Sequence, residues 1–213
     1  MRREVRDMDG SLRWLKWAAE LQSLAQAGLW YSRDVYDRER FERVREIAAE
    51  MAAYGSDTPL EKVRTLFCGE SGYQTPKLDT RAAIFRDDKI LLVRENDGLW
   101  SLPGGWVDVG LSIGENAVKE VREEAGLDAR PERLIAVQDR ARHNLPVEAH
   151  SVCKIFILCE TLGGSFEPNS ETTGADFFAE DELPALSESK NTAEQIRMCF
   201  AASRDPSWRV NFD

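Results

Sequence analysis

Three glutamates, Glu120, Glu123 and Glu124, stand at i, i+3 and i+4 in the run KEVREEAG. Such spacing gathers side chains on one side of a helix. The helix itself is legible. Ser112 followed by Glu115 is a capping-box signature and Gly126 is a C′ glycine, which bounds it to Ile113 through Ala125. Ile113, Ala117, Val118, Val121 and Ala125 form one apolar stripe. By phase, Glu124 falls inside that stripe, Glu120 on its border and Glu123 one step further round, while Glu115, Lys119 and Arg122 point away. A carboxylate facing a core is costly unless paired, and neighbouring carboxylates tend to hold their protons. One divalent cation, which prefers oxygen ligands, removes both costs. The competing reading is a charged helix face in solvent. The phase, and the Gly104-Gly105 turn just before the helix, weigh against it.

An oxygen-bound cation suits anionic substrates, which also need positive side chains. Arginine makes bidentate contacts with phosphate. Arg81 lies on a strand leading toward the glycine turn, Arg94 ends another strand, and Arg140 and Arg142 follow a third. Arg81 and Arg140 are taken as candidate substrate-binding residues. Trp106, just past the glycines, could stack on a base or pack under the helix, and both readings stay open. His143 and His150 flank a loop containing Pro146 and read as structural or exposed.

The stretch Gly104–Leu127 resembles the Nudix box, Gly-x5-Glu-x7-Arg-Glu-U-x-Glu-Glu-x-Gly-U, where U is aliphatic. Gly105, Glu120, Val121, Glu123, Glu124, Gly126 and Leu127 match it. Leu111 replaces the first glutamate and Lys119 the arginine, two side chains that commonly pair in that family. The segments YQTPKLDTR (73–81), LLVRE (91–95), LPGGWVDV (102–109), Glu171-Thr172 and Phe177-Phe178 resemble one subfamily, which places a small helical domain before the Nudix fold. The resemblance implies an α+β fold, an α/β/α Nudix sandwich with a mixed sheet. It implies hydrolysis of a nucleoside diphosphate linked to another group, of CDP-choline or ADP-ribose type, yielding a nucleoside monophosphate and phosphorylated X. It implies Mg²⁺, with Mn²⁺ as the alternative, on Glu120, Glu123, Glu124 and the carbonyl of Gly104. Glu120 and Glu124 are the catalytic candidates, with Glu171 as candidate general base. The alternative class is a nucleotide-sensing regulatory module with a partly degenerate box.

The surrounding elements must position these groups. Residues 1–70 are expected to form a helical domain and 71–213 the Nudix domain. Ser11–Ala27 and Asp37–Tyr54 read as a helical hairpin closed by Gly28 and Gly55, with Trp14 and Trp17 as core. A third helix starts at Thr58-Pro59-Leu60-Glu61, with Pro at N1, and ends near Phe67. So small a hairpin needs a partner surface, and a homodimer through these helices is expected. Strands are expected at Lys77–Phe85, Lys89–Arg94, Leu134–Asp139, Val152–Cys159 and from Phe177. VCKIFILC (152–159) is nearly continuous in apolar residues, as in a strand buried on both faces. Asn191 is expected to cap a final helix to about Ala202, and Ser203–Asp213 has no assignment.

Net charge is −10 and the pI about 4.9, which argues against general nucleic-acid or membrane-surface binding. The N-terminal run MRREVRDMDG has no apolar signal region, and the expected location is cytoplasmic. The four cysteines lack CxxC spacing. Cys153 and Cys159 would lie about 20 Å apart on one strand, so reduced thiols are expected.

Overall fold

The structure, a computed structural model, describes residues 13–56, 58–146, 148 and 150–213. The Ser11 start expected for the first helix lies outside them. Two compact units are present: one holds the described residues up to Pro76 with those of 147–151, the other Lys77–Pro146 and Val152–Asp213.

In the first unit, α1 (Arg13–Tyr31) and α2 (Val35–Ser56) form an antiparallel hairpin, followed by α3 (Leu60–Phe67). Asp34 caps α2, its Oδ1 accepting from the N–H groups of Tyr36 and Asp37, each at 3.0 Å. Both helices run through the glycines expected to end them. A Cβ at Gly28 would stand 2.4 Å from the Phe41 ring, and one at Gly55 2.4 Å from the Trp14 ring. These glycines admit an aromatic ring from the facing helix; they are not stops. Pro59 is the cap residue of α3, not its first helical residue. The core is small-residue packing of Ala18, Ala48, Ala49 and Ala52 with Val63 and Phe67, flanked by Trp14, Leu21 and Met51. Trp17, expected in the core, is 52% exposed, and Leu24 is exposed too. Alanines at the contact bring the backbones close and leave the large apolar residues at neighbouring helix positions outside.

The second unit is a mixed sheet between two helices. The strands are β1 (Lys77–Arg86), β2 (Lys89–Glu95), β3 (Trp100–Ser101), β4 (Leu127–Asp139), β5 (Val152–Gly164), β6 (Thr172–Phe178) and β7 (Asn211–Phe212). Their order is β3-β2-β1-β5-β4-β7, with β6 also paired to β2. β1 and β5 are parallel, as are β4 and β7; the other pairs are antiparallel. Strand alternation sorts the core into two layers. Ala82, Ile84, Ile155, Ile157 and Cys159 face Ala117, Val121 and Ala125 of α4 (Ile113–Ala125). Ala83, Phe156 and Leu158 face Ile196, Cys199 and Phe200 of α6 (Ala193–Arg204), α5 being the single turn Arg140–His143 after β4. This is the expected α/β/α sandwich, and β5 is buried on both faces.

Local details differ. β4 begins at Leu127, seven residues before the expected start, and accommodates Pro131 through register shifts against β5. Thr192 caps α6, because the Asn191 side chain instead accepts from the N–H of Leu102 at 2.7 Å. The tail forms β7, held by Asp213, which accepts from the N–H of Asp139 at 2.7 Å. All four cysteines are free thiols. Among the described residues no helix is long and apolar enough to cross a membrane.

Candidate active site

α4 has the bounds and caps its sequence implies: Ser112 and Glu115 form the full capping box, and Gly126 adopts φ +66°. Both Glu120 and Glu124 are 8% exposed, and the glycine turn lies against them. β1 holds that turn by a backbone ladder, with Thr80 N–H donating to the Gly105 carbonyl at 2.9 Å and Ala82 N–H to the Pro103 carbonyl at 2.8 Å. Gly104 has φ +150°, and a Cβ there would stand 1.9 Å from the Thr80 carbonyl oxygen. Only glycine fits so close an approach. At Gly105 a Cβ would lie 3.2 Å from Glu120 Oε2.

The Gly104 N–H donates to Glu124 Oε2 at 2.9 Å. Burial nevertheless pushes the Glu124 pKa up to about 7, against the pull of that N–H and of Arg81. Burial raises Glu120 as well, offset in part by Lys119. Glu123 is half-exposed and turns to Lys119, at 2.9 Å. The Lys119 ammonium also lies 3.2 Å from Asp108 and 3.4 Å from Glu120, and this company, Glu123 first, raises its pKa. Among the described residues no group of three or more acidic, histidine or cysteine side chains is arranged to hold a metal ion. The donor set still fits a hard divalent cation: buried carboxylate oxygens whose protonation is favoured by burial are relieved by positive charge.

Glu171 is exposed at the start of β6, on a loop fastened to the last turn of α4. Asn169 Nδ2 donates to the Glu123 carbonyl at 2.9 Å and Thr172 Oγ1 to the Glu124 carbonyl at 2.7 Å. Arg81 is buried, 2.8 Å from Asp79, and its Nη1 donates to the Leu102 carbonyl at 3.3 Å. It therefore backs the glycine turn. Trp106 is half-exposed, with the Lys77 ammonium 5.9 Å from its ring centre. Arg140 is buried at the far end of β4, donating to the Pro146 carbonyl at 2.8 Å. Arg94 bonds Thr173, and His143 lies 2.9 Å from Asp213 at the tail.

Several contributors escape motif reading. Fully buried Asn116 accepts from Asp108 N–H at 3.0 Å and donates to Thr80 Oγ1 at 2.9 Å, joining the loop, α4 and β1. Lys154, also fully buried, lies 3.3 Å from Asp79 and donates to the Lys190 carbonyl. Lys190 in turn pairs with Glu95 at 2.5 Å. A lysine inside VCKIFILC was the available signal: an apolar strand tolerates one only with a buried partner.

Residues 76–199 match the NUDIX domain family. The chain belongs to the Nudix family. It is a Nudix pyrophosphohydrolase related to ADP-ribose pyrophosphatases, and residues 12–67 match a second family described as "UDP-X-like, N-terminal oligomerisation domain". This Nudix enzyme is 48% identical over 202 residues to the "Putative ADP-ribose pyrophosphatase YjhB" of Bacillus subtilis (strain 168), covering 94% of this chain and 97% of that one. A crystal structure of an ADP-ribose pyrophosphatase from Streptococcus suis 89-1591 is 58% identical, with TM-score 0.62, and aligns with 65% of this chain and 100% of that one. A crystal structure of a UDP-X diphosphatase is 36% identical, with TM-score 0.61, across 95% of this chain and 99% of that one. Kinship of this length with pyrophosphatases sets aside the sensing-module alternative.

Proposed function

We propose that this Nudix hydrolase cleaves the diphosphate of a nucleoside diphosphate linked to a second group, releasing nucleoside monophosphate and phosphorylated X. Among such substrates ADP-ribose is favoured, because relatives bearing that name span nearly the whole chain or its hydrolase part. CDP-choline is the second candidate and UDP-linked compounds the third. The observation that carries the reading is the pair of buried carboxylates, Glu120 and Glu124, with the Gly104 N–H on the second.

Glu120, Glu123 and Glu124 with the Gly104 carbonyl would hold Mg²⁺, or Mn²⁺ in its place. Bound there, the metal supplies charge neutralisation for the diphosphate and a more acidic water. The chain's own residues do the rest. Arg81, fixed by Asp79, and Asn116 keep the glycine turn in place over the two carboxylates. Glu171, on the loop fastened to α4, is proposed to take the proton of the attacking water. Trp106 offers an exposed face for a base, and Arg140 contributes positive charge from below the surface.

Residues 1–70 are proposed as the dimerising domain and 71–213 as the hydrolase. The family description of residues 12–67 and the exposed Trp17, Trp30, Tyr31 and Tyr36 support this. Free, uncrosslinked cysteines support a reducing, cytoplasmic setting. The test is a panel of ADP-ribose, CDP-choline and UDP-sugars with Mg²⁺ or EDTA, scored by chromatography for nucleoside monophosphate. Absence of nucleoside monophosphate release from every member of the panel would sink the proposal.

A further inference from the structure

Lys119 sits next to Glu120 in sequence and reaches three carboxylates: Glu123 at 2.9 Å, Asp108 at 3.2 Å and Glu120 at 3.4 Å. Two of these are the groups assigned above to the metal. The third, Asp108, belongs to the loop between the glycine turn and α4, and Asn116 holds its backbone. Lys119 is partly exposed, and the Asp108 carboxylate more so, which gives the ammonium a second resting place toward solvent. Leu111, on the same loop, provides no charge to draw it elsewhere.

We infer that Lys119 is the built-in counter-ion of the metal site, holding Glu120 and Glu123 before a cation arrives and competing with it for them. The inference rests on the metal reading under Proposed function. When a divalent ion enters, Lys119 gives up Glu120 and Glu123 and remains on Asp108. Its positive charge then stays beside the site and would weaken binding of metal alone. An anionic diphosphate removes that penalty, so the site fills best when metal and substrate arrive together.

The opposite role is also definite: Lys119 could orient the two glutamates, so that removing it weakens metal binding. Calorimetric titration of the full chain with Mg²⁺ and with Mn²⁺, without nucleotide, separates the two. Lys119→Met, which keeps the apolar stem, should tighten metal binding roughly fivefold or more, as loss of a like charge at short range implies. Lys119→Arg should stay within about twofold of wild type, since it keeps the charge. In EDTA the Met variant should melt below wild type, and Mg²⁺ should raise its melting temperature by more. Lys119→Gln gives the same readouts should the Met variant fold poorly. Unchanged or weaker binding by both neutral variants overturns the counter-ion role while leaving the metal site standing. Glu124→Gln is the control for the site itself. If it binds metal as wild type does, or if wild type shows no saturable binding, the metal reading falls and the inference with it.

Discussion

The N–H of Gly104 donates to Glu124 Oε2 at 2.9 Å, while the Gly104 Cα lies so close to β1 that a Cβ would stand 1.9 Å from the Thr80 carbonyl oxygen. One residue thus carries two constraints: it fits only as glycine, and it orients the buried carboxylate. Gly104→Ala should therefore damage site and fold together, whereas changes at Glu124 separate them.

Glu124→Gln should lower turnover at least a hundredfold with the fold intact, since the amide oxygen still accepts from Gly104. The Glu124 pKa of about 7 lies above its ordinary 4.5. The native state therefore holds a proton that the unfolded chain has lost between those values. Its stabilising contribution is complete below pH 4.5 and is lost as pH rises toward 7. Without metal, wild type should lose melting temperature across that interval relative to the Gln variant. A constant difference between the two from pH 4.5 to 8, or near-normal turnover by the variant, would show the site to be misplaced.

The buried Asp79 carboxylate lies between Arg81 at 2.8 Å and Lys154 at 3.3 Å. Asp79→Ala would leave the buried Arg81 guanidinium without its carboxylate and should cost about 3–5 kcal/mol in urea unfolding. Burial, and then Arg81, push the Lys154 pKa down from 10.5 to about 7, against the pull of Asp79, with Arg140 adding to the depression. Between pH 7 and 10.5 the unfolded chain binds the extra proton, so this group makes stability rise with pH there. Lys154→Met should abolish that rise and be no less stable than wild type at neutral pH. A large loss of stability in the Met variant would mean that the charged pair stabilises the native state on balance.

α4 was legible because its signals are local. The capping box, the stripe and the C′ glycine all lie within it and agree, and tertiary contacts change none of them. β5 was legible for the same reason, as a long apolar run. Gly28 and Gly55 misled because their role depends on Phe41 and Trp14 in the facing helices, which no local pattern encodes. Asn191 looks like a cap, yet its side chain is taken by Leu102, 89 residues away in sequence. The stripe on α1 located a helix face but not its depth: alanines make the contact and Trp17 stays outside. Of the groups around the glutamates, Arg81 was found by type but not by partner. Asp79 and Lys154 meet only through the pairing of β1 with β5, and Asn116, on α4 itself, finds its partner Thr80 only across the packed layers.

Leu111→Glu restores the glutamate that the box pattern expects, and should bring no gain in turnover. Lys119 already contacts three carboxylates. A fourth at half-buried Leu111 adds repulsion and a desolvation cost. Melting temperature in EDTA should fall. A several-fold rise in kcat would instead identify the wild-type box as impaired by its two departures.

The last prediction is a dimer in solution. The hairpin buries alanines and leaves Trp17, Leu24, Trp30, Tyr31 and Tyr36 exposed, five large side chains on two adjoining helices. A two-helix unit buries one stripe against itself, and an exposed aromatic surface of this kind marks an interaction site. Closed two-fold pairing is the commonest way for identical chains to cover it. Multi-angle light scattering at micromolar concentration should give twice the 24.1 kDa chain mass. Trp17→Glu with Trp30→Glu should halve that mass without unfolding the hairpin, because neither side chain belongs to its core. A monomer mass for wild type would remove the dimer. A dimer mass that survives both substitutions would place the interface elsewhere on the chain.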